Sequence, residues 1–250
     1  MRHCEQLIKD GADILDIGGE STRPGALPLS LEAELARVLP VVRHAVTLGV
    51  PVSVDTYKPR VMQAVLDLGA DIINDVWALR WREKHEDLNA QTVVVEHPAC
   101  GVCLMHMHLA PQTMQLTPMQ GDVVPQVLLF LERLTHDLRG LGVDEHRICI
   151  DPGIGFGKTV PQNIALLARQ QALMALGYPV LAGWSRKSTL AAITQRSLGS
   201  VATLGVQDRM VPSVVAAVLA VQQGASVVRV HDVNETVQAL KVLSAVQHHR

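Results

Sequence analysis

"RICIDPGIGFGKT", residues 147–159, contains the unit from which the whole chain is built. Residues 148–150 are apolar, which predicts a short buried strand. Asp151 ends that strand, and a glycine-rich loop follows. Pro161 lies just beyond, where the first turn of a helix tolerates proline because the missing N–H would be unpaired there anyway. The stretch therefore predicts a strand, a polar strand end, a loop and a helix, which is the unit of an α/β fold.

The same unit recurs in both directions along the chain. Seven almost wholly apolar runs are ADILDIGG at 12–19, VPVSVDT at 50–56, DIINDV at 71–76, GVCLMHM at 101–107, RICIDPG at 147–153, YPVLAGWS at 178–185 and SVVRVHD at 226–232. Continuous apolarity predicts strands buried on both faces, as in a parallel sheet covered by helices. Helical spacing between the runs, as in 58–71 and 211–226, ends at glycines that can cap a helix. The order fits either a (β/α) barrel or a doubly wound open sheet.

Two features favour the barrel. No G-x-G-x-x-G follows the first strand, as a dinucleotide-binding doubly wound sheet would require. Nearly every run ends in a polar group, and a barrel gathers all those ends on one face, where its active site forms. We predict an α/β fold of the TIM (β/α)8 type, with seven strands in this chain and the first strand missing. Residues 1–250 would then form a single, N-terminally truncated domain.

The loop at 152–159 nearly matches a nucleotide-binding P-loop, G-x-x-x-x-G-K-[ST]. Gly157, Lys158 and Thr159 fit that pattern, but Pro152 stands where the first glycine should be. Proline fixes φ and removes one of the N–H groups that would cradle phosphate. We interpret the match as coincidence and predict a rigid loop that presents Asp151 and Phe156.

Composition narrows the class of partner. The 250 residues carry a formal net charge of −2, which offers no broad cationic surface for a nucleic acid or an anionic membrane. No apolar run is long enough to span a bilayer, and the first residues lack a signal-peptide pattern, so we expect a cytoplasmic protein that binds small molecules. Cys100-x-x-Cys103 falls in a strand, so we interpret it as structural. A zinc site at His106 and His108 is the less favoured interpretation.

The strand ends supply the candidate site residues. Asp55, Asn74, Asp151 and Lys187 each lie at or just beyond the end of an apolar run, where they could hold the polar edge of a flat heterocycle. The alternative for each is a helix-capping or loop-anchoring role.

A second set of candidates suits an anion and a flat ring. Arg229 and His231 could bind an anion, or could form an internal ion pair with Asp232 or another acid. Thr22 and Arg23 belong to a glycine-flanked loop that could close over a substrate. Phe156, between two glycines, could line a slot for a flat ring.

Seven segments, GGESTRPGA, VSVDTYKP, IINDV, CLMHM, DPGIGFGK, SRKS and RVHDV, closely resemble those of the dihydropteroate synthases, in the same order. That family forms TIM barrels that are usually homodimers. The resemblance implies a transferase of folate biosynthesis, which condenses 6-hydroxymethyl-7,8-dihydropterin diphosphate with 4-aminobenzoate to give dihydropteroate and diphosphate. It also implies Mg²⁺ as cofactor and competition by sulfonamides for the aminobenzoate slot.

The resemblance further implies a role for each candidate. Asp55, Asp151, Lys187 and Arg229 would be catalytic, and with Asn74 and Met105 they would surround the pterin, with Arg229 stacked on its face. Arg229 and His231 would meet the diphosphate with Thr22 and Arg23. The aminobenzoate slot would comprise Thr22, Pro24, Phe156, Lys187 and Ser188. Diphosphate would leave first, and the aryl amine would capture the resulting cation.

One departure leaves alternatives open. Nothing in the sequence matches the first strand and loop of the family, whose asparagine helps to bind Mg²⁺ and diphosphate, so the metal ligands are unknown. A non-catalytic paralogue that keeps the pterin pocket as a binding or dimer-stabilising module is the second hypothesis. A pterin-binding methyltransferase barrel is the third, and STRPG, SRKS and GFGK argue against it.

Overall fold

The chain folds into parallel strands alternating with helices. A computed structural model describes residues 1–23, 25–82, 88–198 and 205–249, without the side chains of 196–198. The strands within these ranges are β1 Leu15–Gly18, β2 Val52–Asp55, β3 Ile72–Asp75, β4 Gly101–Met105, β5 Ile148–Asp151, β6 Leu181–Ala182 and β7 Val227–Val228. All seven predicted apolar runs therefore contain a strand, although β6 and β7 have only two residues each.

Helices follow the strands along the chain. The α-helices of the described ranges are α1 Arg2–Lys9, α2 Leu31–Ala45, α3 Pro59–Leu66, α4 Ala90–Glu96, α5 Val123–Gly140, α6 Val160–Ala168, α7 Gln171–Met174, α8 Ser188–Leu198, α9 Met210–Gln222 and α10 Val233–Gln247. Pro59 and Pro161 lie in the first turns of α3 and α6, as the sequence predicted. None of the described helices is both long and apolar enough to cross a membrane.

Strand order decides between the two α/β architectures. The sheet runs β1-β2-β3-β4-β5 in chain order, and β6 pairs with β7. A parallel bridge between Ile150 and Val180 joins β5 to the β6 end. A doubly wound sheet would reverse its order at a central strand, whereas here each strand lies beside its successor. The barrel topology is therefore confirmed.

The barrel is not closed by backbone pairing in the part of the chain that is described. No backbone hydrogen bond there joins β7 to β1. Instead, Arg229, one residue beyond β7, donates from Nε to Oδ2 of Asp16 in β1 at 2.5 Å. A charged contact at the carboxyl ends of the strands thus spans the gap between the first and last strands.

Three apolar clusters pack around the strands. One surrounds β1 to β4 with α2, α3 and α4 and contains the fully buried Val54 and Ile73, and a second surrounds β5 and β6 with α5 and α9. A third, smaller cluster covers the carboxyl ends of the strands and includes Tyr57, Met105 and Phe156. Apolar walls therefore enclose the polar strand ends that the sequence singled out.

Candidate active site

Four strands, β1, β2, β3 and β5, bring polar side chains at their ends to one face of the barrel. Asp16 and Asp55 lie opposite Ser53 and Gly18 in the β1–β2 register, and Asn74 lies opposite Asp55 in the β2–β3 register. Asp151 lies opposite Met105 in the β4–β5 register. Asp55 and Asn74 share one level of the register, whereas Asp16 lies two residues before that level and Asp151 two residues after it. Because residues two apart along a strand point to the same face, all four side chains lie on the same side of the sheet. The prediction that strand-end groups gather on one face is confirmed.

Arg229 ties two of the carboxylates together. Besides its bond to Asp16, it donates from Nη2 to Oδ2 of Asp55 at 3.0 Å. Asn74 donates from Nδ2 to the same Asp16 oxygen at 3.3 Å. The other oxygen, Asp16 Oδ1, is buried and has no hydrogen-bond partner among the described residues. An unpaired buried acceptor beside two carboxylates is a place where a ligand N–H group can bind.

Burial sets the protonation of the acidic groups. Desolvation raises the pKa of Asp55 to about 7, and the neighbouring Asp16 adds to this while Arg229 opposes it. Desolvation also raises the pKa of Asp151, against the lowering effect of the Gly153 N–H and of Lys187. Near neutral pH, Asp55 can therefore accept or donate a hydrogen bond, as recognition of a heterocycle with both kinds of group requires.

Lys187 lies between the acidic groups and the aromatic wall. Its Nζ is 4.5 Å from the centre of the Phe156 ring. Desolvation lowers the pKa of Lys187 to about 8, with Asp151 and Asp55 opposing the change. Phe156 is 9% exposed. The structure thus joins a flat apolar surface and a cation, which suits an aromatic ring that carries a carboxylate.

The β5–α6 loop, residues 152–159, is held by its own lysine. Lys158 Nζ donates to the carbonyl oxygens of Gly153 at 2.8 Å and Phe156 at 3.2 Å. It also lies 2.9 Å from His106 Nδ1 and 3.4 Å from His106 O. Lys158 is 3% exposed, so it does not reach out to a phosphate. This geometry supports the interpretation of the P-loop match as coincidence.

The residues that follow β7, predicted to bind an anion, form hydrogen bonds within the protein. Asp232 accepts two hydrogen bonds from Arg186, at 3.2 and 2.6 Å. Arg229 instead pairs internally with two other acids, Asp16 and Asp55. His231 Nδ1 lies 2.8 Å from Ser185 Oγ. Desolvation, with Arg186 and Arg229 adding to it, lowers the pKa of His231. Its imidazole is therefore neutral at pH 7, and it offers hydrogen bonds rather than charge.

The loop after β1 is anchored at its base. Glu20 accepts from Lys58 Nζ at 2.5 Å, from Tyr57 OH at 2.9 Å and from the Leu29 N–H at 3.1 Å. Thr22, beyond this anchor, lines a cavity of about 100 Å³ together with Trp77 and Trp81. Arg23 is exposed, and Pro24 lies outside the described residues. Ser188 is also exposed and begins α8, directly after Lys187.

With this geometry in place, comparison with known proteins identifies the family. The model of the pterin binding enzyme family matches residues 1–231. The chain belongs to the dihydropteroate synthase branch of that family. The dihydropteroate synthase of Neisseria meningitidis serogroup B is 44% identical over 250 residues, covering 98% of this chain and 83% of the relative.

Solved structures of dihydropteroate synthases share the fold. The Xanthomonas albilineans enzyme with 4-aminobenzoic acid matches with a TM-score of 0.88 and 44% identity, over 98% of this chain and 83% of that one. The Burkholderia cenocepacia enzyme complexed with 7,8-dihydropteroate matches with a TM-score of 0.88 and 47% identity, over 99% and 86%.

Two features of this family member were missed by sequence reasoning. Asp16, in the first apolar run, was not placed in the site, although it is the closest partner of Arg229. Lys158 was noted only as part of the P-loop match. The alternation of Asp16 with the buried Leu15 and Ile17 was the sequence signal that could have placed Asp16 in the site. No feature of the sequence indicated that the Lys158 side chain turns back into its own loop.

The surroundings of the cysteines favour a structural role. All four cysteines are free thiols. Burial raises the pKa of Cys100 to about 11, and the pKa of Cys103 in β4 is raised by Cys149 and by burial. A thiol with a raised pKa is a poor nucleophile, which supports the structural interpretation. Within the described ranges, no three His, Cys, Asp or Glu side chains are grouped to hold a metal ion.

Proposed function

We propose that this chain condenses 6-hydroxymethyl-7,8-dihydropterin diphosphate with 4-aminobenzoate, giving dihydropteroate and diphosphate, as the dihydropteroate synthases do. One observation carries the proposal for this chain. Asp55, Asn74 and Asp151, from three strands, lie on one face of the barrel with Lys187 and Arg229, which follow β6 and β7. Solved structures of two relatives contain 4-aminobenzoic acid and 7,8-dihydropteroate, respectively.

The pterin ring is the part of the substrate that the acidic groups suit. Its amino group and ring N–H donate hydrogen bonds, which the carboxylates of Asp55 and Asp151 and the amide oxygen of Asn74 can accept. Its carbonyl and ring nitrogens can accept from Lys187 and from the Asn74 amide. Met105, 3% exposed, supplies an apolar surface beside the ring. Arg229 would stack on the face of the pterin once its carboxylate partners bind the ligand.

The chemical step in this proposal begins at the carbon that bears the diphosphate. The C–O bond breaks, and diphosphate leaves with the bonding electrons while Arg229 and Arg23 neutralise its growing charge. His231 and Thr22 can donate hydrogen bonds to the departing oxygens. The pterin-methyl cation that remains is stabilised by the carboxylates of Asp55 and Asp151. The amine of 4-aminobenzoate then forms the C–N bond and releases a proton to solvent.

The aminobenzoate slot follows from the same geometry. Phe156 provides the flat wall, and Lys187 Nζ and the Ser188 hydroxyl lie at the start of α8 beside it. Thr22 and Pro24 would complete the slot from the loop after β1. Because a sulfonamide resembles 4-aminobenzoate in shape and polarity, we expect sulfonamides to raise the KM for 4-aminobenzoate without lowering kcat.

Binding of magnesium stays a prediction for this chain. Mg²⁺ prefers six oxygen ligands and usually combines one or two carboxylates with substrate phosphates. The carboxylates of Asp16 and Asp55 are already bound by Arg229, and the lone Asp16 Oδ1 is a single ligand. The described residues therefore do not form a magnesium site on their own.

The homodimer and the cytoplasmic location also stay predictions. Support for a dimer comes from α9, which exposes Val211, Val215 and Leu219 at four-residue spacing, so that they form one apolar stripe. We propose that a second copy covers this stripe. Sedimentation analysis of the chain and of Val215→Asp tests this, because a charge within a dimer contact should shift the protein to monomer.

Diphosphate release tests the catalytic proposal. The chain is given the pterin diphosphate and Mg²⁺, with and without 4-aminobenzoate, and we expect release that depends on the amine. Asp55→Asn should lower kcat/KM by roughly 10²-fold, since it removes an interaction with the developing cation, whereas Asp13→Asn, on an exposed residue, should change nothing. Pterin binding without release by the folded chain would favour the non-catalytic paralogue.

A further inference from the structure

Lys158 is buried in the β5–α6 loop, and no carboxylate among the described residues is hydrogen-bonded to it. The proposed mechanism gives this lysine no role. Its Nζ has four acceptors within 3.4 Å, which are the carbonyl oxygens of Gly153, Phe156 and His106 and the ring nitrogen His106 Nδ1. An ammonium group has only donors, so His106 must accept at Nδ1 and carry its proton at Nε2. Burial lowers the pKa of His106 to about 2, which keeps the ring neutral and able to accept.

These acceptors come from two different segments. Gly153 and Phe156 belong to the loop after β5, while His106 directly follows β4. The His106 N–H also donates to the carbonyl oxygen of Asp151 at 2.9 Å, which continues the β4–β5 pairing by one residue. Lys158 therefore joins the loop to the end of the neighbouring strand at the point where the sheet stops.

The loop backbone is shaped to allow this convergence. Gly153, Gly155 and Gly157 have φ values of +67°, +84° and +70°, a region that favours glycine. At Gly153 a Cβ atom would lie 1.9 Å from the His106 oxygen, so only glycine permits this approach. The backbone thus folds around Nζ much as carbonyl groups fold around a bound cation.

Both ends of this loop carry groups of the proposed site. The Gly153 N–H donates to Asp151 Oδ1 at 2.7 Å, which sets the direction of that carboxylate. At the other end, the Phe156 carbonyl binds Lys158 while the Phe156 ring faces Lys187. A single amine therefore controls the backbone that aims a pterin-binding carboxylate and the aromatic wall of the aminobenzoate slot.

We propose that Lys158 is a positioning residue, whose hydrogen bonds to Gly153, Phe156 and His106 hold Asp151 and Phe156 in the arrangement that binds both substrates. The role rests on the function proposed above, but the arrangement itself does not. Asn163 supports the loop from the other side, because its Oδ1 accepts from the Gly155 N–H at 2.9 Å and its Nδ2 donates to Thr189 at 3.0 Å. Without Lys158, the loop keeps this second anchor but loses its link to β4.

The variant Lys158→Met tests the proposal, because methionine keeps the length of the side chain and removes every donor. We expect the KM values for both substrates to rise and kcat/KM to fall by roughly 10-fold to 100-fold, as misplacement of binding groups typically causes. Lys241→Met, on an exposed lysine of α10, is the matched control and should match wild type. A kcat/KM for folded Lys158→Met within twofold of wild type would overturn the proposal.

A spectroscopic measurement separates this proposal from the proposed function. The chain has two phenylalanines, Phe130 and Phe156, so labelling with 4-fluorophenylalanine gives two ¹⁹F resonances. In wild type we expect the Phe156 resonance to move when 4-aminobenzoate is added. In Lys158→Met this resonance should already be displaced or broadened without ligand, by more than that of Phe130. An unchanged Phe156 resonance would refute the positioning role even if the chain had no turnover.

If Lys158→Met does not fold, His106 gives an independent test. His106→Asn keeps an acceptor close to the position of Nδ1, whereas His106→Leu removes it. We expect His106→Asn to stay within about threefold of wild type and His106→Leu to lose about tenfold in kcat/KM, in line with the loss of a buried charge-assisted hydrogen bond. Equal effects of the two substitutions would contradict the proposal.

Discussion

Lys58 and Lys158 are both buried lysines beside the candidate site, but their surroundings differ. Lys58 lies between two carboxylates, with Nζ 2.5 Å from Glu20 and 2.5 Å from Glu34. Lys158 is surrounded by carbonyl oxygens and a neutral imidazole. Hydrogen bonds and charge from the two glutamates outweigh burial and raise the pKa of Lys58. Around Lys158 desolvation dominates and lowers the pKa to about 7.

The difference shows how a barrel can anchor its loops in two ways. Around Lys58, full charges compensate one another and tie the base of the loop after β1 to α2, through Glu34 and its bond from Thr56 Oγ1 at 2.7 Å. Around Lys158, backbone carbonyl dipoles take this part, and the charge of Asp151 acts on the lysine without a hydrogen bond between them among the described residues. Charge compensation makes the first anchor strong and insensitive to pH near neutrality, whereas the second depends on close packing and titrates there.

The largest effect is expected from Lys58→Met. It removes the cation and leaves Glu34, 1% exposed, as an unpaired buried carboxylate. Breaking a buried ion pair in this way lowers the free energy of unfolding by about 3 to 5 kcal/mol. Urea unfolding measures it, with Lys241→Met as control. A loss below about 1 kcal/mol, as for an exposed pair, would show that the two anchors do not differ in strength.

Gly153→Ala tests the packing of the Lys158 anchor. The added Cβ meets the His106 oxygen at 1.9 Å, and φ is +67°. Backbone strain and overpacking together should lower the free energy of unfolding by roughly 2 to 4 kcal/mol. Gly177→Ala is the matched control, since φ there is +79° with no atom within 4 Å of the new Cβ, and about 1 kcal/mol is expected. Equal losses for Gly153→Ala and Gly177→Ala would mean that the carbonyl groups around Lys158 Nζ are loosely packed.

The titration of Lys158 predicts that the free energy of unfolding depends on pH, an effect that is not expected from Lys58. The pKa of Lys158 falls from an ordinary 10.5 to about 7 on folding, so between these values the unfolded chain binds more protons than the folded one. Stability from this group therefore rises with pH from about 7 to 10.5, by at most about 1.4 kcal/mol per pH unit. Lys158→Met should remove that contribution to the slope. Identical slopes for wild type and variant in urea unfolding at several pH values would contradict the assignment.

Tyr57→Phe should give the smallest effect. It removes one hydrogen bond to Glu20 but leaves the bond from Lys58 in place. Loss of one hydrogen bond of this kind lowers the free energy of unfolding by about 1 kcal/mol. A loss as large as that of Lys58→Met, measured in the same urea series, would mean that the hydroxyl and not the cation holds the anchor together.

The sequence predicted the part of the site that depends on strand ends. Asp55, Asn74 and Asp151 could be placed together because the carboxyl ends of parallel strands meet at one face of a barrel. The partner of Arg229 could not, because Asp16 is 213 residues away and the contact exists only after the barrel curves round. The direction of Lys158 was also beyond reach, since it depends on three glycine torsions in one loop. Local sequence patterns determine the secondary-structure elements and where they end. Contacts between side chains that are distant in sequence depend on how the barrel curves round.

The contact between Arg229 and Asp16 makes one side of the barrel sensitive to salt. Amide ladders hold β1 to β5 together, and dissolved ions affect them little. The β7–β1 side is instead bridged at the strand ends by a guanidinium that is 43% exposed. Counterions weaken an exposed ion pair, so a contact of this kind contributes less as the ionic strength rises. Added salt should therefore loosen the molecule on this side first, at the place where the proposed substrate enters.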